Sequence, residues 1–353
     1  MTTWNDYLAA QGARHDATLP DQVADFGRTL SVTELKGGFV APVTGQGLIA
    51  VRGEDAAKFL HSQLTNDVEH LGQGEARLAG YCTPKGRLQA SFLMWRDADA
   101  VYLQLPRELQ AALQKRLSMF VMRAKAALTD ASVTPAFEAV LGFGGSAAQP
   151  ALEGLFGALP ALPYTRMEHS LGVLIRLADA FDAPRYQWLT TAATAQQYFP
   201  AFTEKLALGG GDAWRLSDIH AGVPQITLKT QEQFVPQMIN FELLGGVNFK
   251  KGCYPGQEIV ARSQYLGKLK RRTALASIAG ALAQAGDEVF DVADPGQPCG
   301  MVVNSAPNGA GGSDALVEMK LAALAGSEVR LGSANGPALA FQPMPYPLDA
   351  LDL

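Results

Sequence analysis

The hydrophobic pattern of this chain changes character near residues 131, 210 and 272, a succession that no single sheet or bundle around one core accommodates. Between 48 and 120, β-like runs alternate with helical spacing. Leu48-Ile49-Ala50-Val51 reads as a strand, and Ala56, Phe59, Leu60 and Leu64 then recur along one helix face. Strands at 79–82 and 88–95 flank the turn Thr83-Pro84-Lys85-Gly86, followed by a strand at 101–105 and an amphipathic helix at 107–120. From about 131 the composition moves toward Gly, Ala and Pro. Strands are expected at 139–143, 171–177 and 185–190, with helices at 149–156 and 192–199. Gly209-Gly210-Gly211 reads as a linker. Beyond Arg272, strands at 273–278, 288–292, 300–304, 315–320 and 338–342 are punctuated by glycines, the pattern of a small closed or partly closed β-barrel. Residues 1–35 are expected to be irregular apart from a helical piece around Trp4 to Gln11, with order beginning near Gly38.

The length, 353 residues, suits two or three domains of α+β type. With 48% hydrophobic and 18% charged residues, the chain has the make-up of a globular protein and not of a disordered one. A net charge of -5 argues against a general nucleic-acid coat. Cys82, Cys253 and Cys299 are far apart and form no C-x-x-C pair, and the five histidines show no metal-ligand spacing. No apolar run approaches the roughly 20 residues of a membrane helix. The expected location is the cytoplasm, with no membrane partner.

One segment concentrates chemistry: Asn248-Phe249-Lys250-Lys251-Gly252-Cys253-Tyr254-Pro255-Gly256-Gln257-Glu258. It sets a thiol between lysines and a Pro-Gly turn. Neighbouring ammonium groups or a following helix N-terminus favour a thiolate, the nucleophilic form of cysteine. The alternative is a helix-entry turn holding a small inert residue. Lys250, Lys251, Arg262, Lys268, Lys270, Arg271 and Arg272 fall in one stretch opposed only by Glu258. This is either a solvated face or a strip for a carboxylate, a phosphate or an RNA backbone.

The run Glu232-Gln233-Phe234-Val235-Pro236-Gln237, followed by Gly245 to Glu258, closely resembles the YgfZ family, folate-binding relatives of the glycine-cleavage aminomethyltransferase implicated in iron-sulfur enzyme maintenance. The K-G-C-Y-x-G-Q-E signature is met without mismatch at Lys251 to Glu258. Arg52 to Ala56, Leu64 to Val68 and Ala221-Gly222-Val223-Pro224 resemble further stretches of the aminomethyltransferases. The resemblance implies three parts: a split first domain at 36–130 plus 210–265, an inserted ferredoxin-like domain at 131–209, and a C-terminal β-barrel at 268–347. It implies tetrahydrofolate as ligand, iron-sulfur enzymes as clients, and a tRNA contact through 250–272. Cys253 and Lys251 are then the candidate chemical residues. Trp214, Tyr254, Gln257, Glu258, Arg262 and His220 are the candidate folate contacts.

Two departures from the family's pattern stand out. The acidic pair that aminomethyltransferases carry after the glycine matching Gly86 is replaced by Arg87-Leu88-Gln89-Ala90-Ser91, which holds no carboxylate to manage protons. His220 stands where relatives place a glutamate, and a neutral imidazole offers one acceptor in place of a carboxylate's two. It is either a ligand or a residue of the turn. Trp214 is either a stacking partner for a pterin or aminobenzoate ring or plain core. The leading expectation is a folate-binding accessory protein with a conditionally reactive thiol at Cys253. The rivals are a one-carbon transferase, using Asp67, Glu258 or His220 for protons, and a tRNA-binding regulatory protein.

Overall fold

The computed structural model describes residues 3–17, 19–266, 269–326 and 328–348. Its backbone is organised around three large sheets. The first is five-stranded and antiparallel, in the order Ala76–Cys82, Leu88–Arg96, Ala100–Pro106, Gln46–Arg52 and Ala127–Asp130. Helix Ala56–Gln63 buries Ala56, Phe59 and Leu60, and helix Arg107–Ser118 buries Leu109, Leu113 and Leu117, the positions that the 3.6-residue spacing assigns to one face. The hairpin between the first two strands turns at Gly86, whose φ of +72° suits a residue without a Cβ.

The middle sheet has six strands, in the order Arg166–His169, Gly172–Ala180, Ala183–Thr190, Ala139–Gly144, Phe39–Pro42 and Ala207–Leu208. The pairing of Ala207–Leu208 with Phe39–Pro42 is parallel and the rest are antiparallel. This sheet thus draws one strand from well before residue 131. Helices Ala148–Phe156 and Ala192–Thr203 contribute Leu152, Phe156, Phe199 and Phe202 to a second apolar core.

The third sheet runs in the order Val329–Leu331, Glu288–Asp291, Asp294–Pro307, Ser313–Lys320, Arg271–Ile278 and Leu339–Gln342. Its two edges meet through a bridge between Arg330 and Ala338, and Leu331 N donates to Pro337 O at 2.9 Å, curling the sheet toward closure as the glycine-punctuated pattern suggests.

Two expectations need correction. Residues 3–17 and 19–35 are built into the fold: Trp4 and Leu8 on helix Trp4–Ala10 are buried in the second core, Arg14–His15 pairs with Val23–Asp25, and helix Val32–Gly37 starts at a Ser31–Glu34 capping box. Their few apolar residues dock one by one on the body of the protein, so no local periodicity announces them. The glycine triplet is no linker. Gly210 precedes helix Gly211–His220, and a Cβ there would overlap the carbonyl of Ala24; the glycines permit a close backbone approach.

Several side chains fasten the curled sheet to the stretch 220–242. His220 Nε2 lies 2.7 Å from Asp314 Oδ2, Asn240 Nδ2 donates to Thr273 O at 2.9 Å, and buried Arg272 pairs with buried Glu242. Tyr346 Oη donates to Gly222 O at 2.8 Å.

Candidate functional site

The Lys251–Glu258 signature is seated by residues far away in sequence. Thr65 Oγ1 donates to Gly246 O at 2.6 Å and accepts from Gly80 N at 2.7 Å, while Asn248 N donates to Thr65 O at 2.9 Å. Asn66 Nδ2 donates to both Leu78 O and Gly245 O at 2.7 Å. Thr65 and Asn66 are buried, so these bonds satisfy groups that water does not reach. At the other end Gly256, with φ +82°, opens helix Gln257–Tyr265 directly against the hairpin turn. A Cβ on Gly256 would overlap Thr83 O, and one on Gly86 would lie 3.0 Å from Ile259 Cβ. Loop and turn meet backbone to backbone.

Lys251 turns its ammonium inward. Nζ donates to His61 O at 2.5 Å and to Leu64 O at 3.0 Å, carbonyls at the C-terminal end of helix Ala56–Gln63, and lies 4.8 Å from the centroid of the Tyr254 ring. Burial draws its pKa down to about 8, against the opposing charges of Asp67, Cys253 and Glu69. Cys253 itself is exposed and makes no hydrogen bond among the described residues. Cys82 and Cys299 are buried, and burial pushes the Cys82 thiol up to about 12. Tyr254 is buried with an unpartnered hydroxyl, which burial holds in its neutral form. Gln257 is half-buried, and Glu258 and Arg262 are exposed on the same helix. None of the three makes a side-chain hydrogen bond or ion pair among the described residues.

Trp214 belongs to a different place, a cavity between the first and middle sheets. Helix Gly211–His220 lays the indole over Gly142, where a Cβ would overlap the six-membered ring. The guanidinium of Arg185 sits 5.0 Å from the indole and donates from Nη1 to Ser217 Oγ and Asp218 Oδ1, both at 2.7 Å. Burial pushes the Asp218 carboxyl up while Arg185 pulls it down; the net shift is upward. Gln187 Nε2 donates to Gln104 Oε1 at 2.8 Å in the same wall. Tyr164, in the left-handed region at φ +59°, contributes a buried hydroxyl with no partner. Ser91, from the stretch where an acidic pair was expected, also lines the cavity, and its Oγ accepts from Ile226 N at 3.0 Å.

The candidate residues therefore separate. Lys251, Cys253, Tyr254, Gln257, Glu258 and Arg262 share the signature loop and its helix, and Trp214 alone among the candidates lines the cavity. His220 is engaged by Asp314 and lies 4.7 Å from the Phe181 ring, outside the cavity wall. In the basic strip, Arg271 pairs with Glu318 and Arg272 with Glu242, and Lys251 is committed to carbonyls; Lys268 lies outside the described residues. Sequence reasoning missed Arg185, Asp218, Tyr164 and the Gln104–Gln187 pair. Two signals pointed to the first two: Arg185 interrupts a strand that is otherwise largely apolar, and Asp218 follows Trp214 at i+4, one turn along the same helix face.

No family model matches the chain. It is similar to the tRNA-modifying protein YgfZ of Serratia proteamaculans (strain 568), 31% identical over 306 residues that cover 85% of this chain and 90% of the relative. The tRNA-modifying protein YgfZ of Cronobacter sakazakii (strain ATCC BAA-894) is 30% identical over 309 residues, covering 86% and 91%. Among solved structures, the glycine cleavage system aminomethyltransferase T from Bartonella henselae superposes with a TM-score of 0.77 over 98% of this chain and 97% of that one. The identity there is 16%, so this likeness speaks for the fold.

Proposed function

This chain belongs to the family of the tRNA-modifying protein YgfZ, and on that premise we propose that it is a tetrahydrofolate-binding accessory protein that supports iron-sulfur enzymes and, through them, tRNA modification. The observation that carries the folate reading is the cavity around Trp214. It combines an indole, the Arg185–Asp218 pair, a glutamine pair and the unpartnered Tyr164 hydroxyl. A flat heterocycle with donors and acceptors around its edge matches that lining, and a buried hydroxyl without a partner is the kind of group a ligand satisfies. When bound, a reduced folate supplies a carrier for one-carbon units. Trp214, Arg185, Asp218 and Tyr164 would hold and orient it.

Binding is favoured over aminomethyl transfer by the chemistry of the wall. Gln89, Ala90 and Ser91 bring no carboxylate. Asp218 is the one acid among the described lining residues, and Arg185 already engages it. Asp67, Glu258 and His220 stand elsewhere. In this reading Cys253 is a second station, an exposed thiol that a macromolecular client reaches directly. Direct tRNA binding through 250–272 has less in its favour, because Lys251, Arg271 and Arg272 are engaged internally.

Titration of tetrahydrofolate into the full chain and into Trp214→Phe, followed by intrinsic fluorescence, tests the folate reading. Saturable quenching is expected in the parent and largely absent from the variant. A parent that shows no saturable quenching overturns it.

A further inference from the structure

Helix Ala56–Gln63 delivers His61 to the signature loop with its two ring nitrogens in different surroundings. Nδ1 is buried, 3.1 Å from Asp67 Oδ1 and 3.8 Å from Glu69 Oε2. The Asp67 contact is off the line of the ring N–H, so it acts as an electrostatic anchor more than as an aligned hydrogen bond. Nε2 has no hydrogen-bond partner among the described residues. A methyl group built on Gly252 would sit 3.7 Å from it, and Gly252 immediately precedes Cys253. Asp67 is fixed from its other side by His70, whose Nδ1 lies 2.8 Å from Oδ2 and whose backbone N donates to Oδ1 at 3.1 Å. The charged groups facing His61 are thus Asp67 and Glu69 beyond its own helix and Lys251 from the signature loop. The 2.5 Å bond from Lys251 to the His61 carbonyl ties the two segments together.

We propose that His61, steadied by Asp67, takes the proton of the Cys253 thiol on Nε2, so that the three form a thiol-activating relay directed at disulfides. The inference rests on the reading of Cys253 as the reactive thiol. A nucleophile beside a base that a third group anchors is the general arrangement by which weak nucleophiles are activated. A disulfide is the electrophile that suits the place, since the thiol is exposed, stands outside the cavity wall, and a disulfide presents its sulfur at a surface. In the step, Nε2 receives the Sγ proton and the thiolate attacks one sulfur of R–S–S–R′. A Cys253–S–S–R bond forms, the original S–S bond breaks, and the departing R′–S⁻ takes the proton back from His61. One disulfide is exchanged for another and no redox equivalent is left over.

The test uses the native full chain and dithiobisnitrobenzoate, a small aromatic disulfide whose released thiolate is coloured. Cys82 and Cys299 are buried, so Cys253→Ser supplies the background rate. At neutral pH His61→Gln is expected to react about tenfold more slowly than the parent, with the gap closing at alkaline pH as the thiol ionises unaided. Asp67→Asn should give an intermediate loss. Glutamine preserves the backbone carbonyl that Lys251 binds, and melting curves check the fold; should His61→Gln melt early, Asp67→Asn carries the comparison. A folded His61→Gln with the parent's rate and pH profile overturns the relay. A parent that reacts no faster than glutathione overturns the thiol reading beneath it.

Discussion

Lys251 shows how one residue acquires a property its neighbours in sequence do not specify. The signature places it two positions before Cys253, but its ammonium is spent on carbonyls about 190 residues away in the chain. Because burial lowers its pKa to about 8 in the folded state, the unfolded chain holds that proton to higher pH. The buried ammonium therefore opposes folding below about pH 8, and this penalty is relieved as pH rises from there toward the unfolded value near 10.4. Lys251→Met should flatten the pH dependence of the melting temperature between about 8 and 10 relative to the parent, and parallel curves would refute this account. The residue types of the signature were legible because they adjoin one another in sequence. The inward turn of Lys251 and the pairing of His61 with the loop were not, since both depend on a helix that arrives from elsewhere. Likewise Trp214 was found through a resemblance, while Arg185, which gives the indole its charged neighbour, comes from strand Ala183–Thr190.

At the scale of elements, absent side chains settle how pieces meet. Strand Ala139–Gly144 presents Gly142 to the helix bearing Trp214, and no other residue leaves room for the indole there. Gly142→Ala should cost about 1–3 kcal/mol through overpacking, read as a lower urea midpoint, and should push Trp214 so that folate quenching weakens. An unchanged midpoint together with unchanged quenching would speak against the packing described. The hairpins were legible from alternation and from turn residues such as Pro84 and Gly86. Helix Gly211–His220 was not, because its start carries no side-chain cap and its glycines look like a linker. The close backbone approach that explains those glycines involves Ala24, in a segment whose sparse apolar residues gave no sign of order.

Over the whole molecule, the curled sheet and the helix behind the cavity share one carboxylate. Asp314 accepts from Ser277 Oγ at 2.7 Å and Asn308 Nδ2 at 2.9 Å and contacts His220 Nε2 at 2.7 Å. Burial alone would raise its pKa, but these bonds outweigh burial and hold the carboxyl below the usual range. With the folded value depressed, its stabilisation is present at neutral pH and is lost as pH falls through the acid range. Asp314→Asn should lower stability at neutral pH by about 1–3 kcal/mol and should melt with a flatter acid arm than the parent; identical acid arms would show that the contact is not what joins the parts. The kinds of part were legible in the sequence because each has its own hydrophobic period. How they are fastened was not: His220 stood out only as a candidate ligand, and nothing in the sequence linked it to Asp314, 94 positions away. Tyr346 reaches Gly222 across 124 positions. During synthesis at about 5–20 residues per second, the turn holding Val223, Pro224 and Gln225 therefore waits many seconds for its last support. The surroundings of the cavity are thus among the last parts of a nascent molecule to be completed, and a chain stalled on the ribosome before Tyr346 lacks this bond to Gly222.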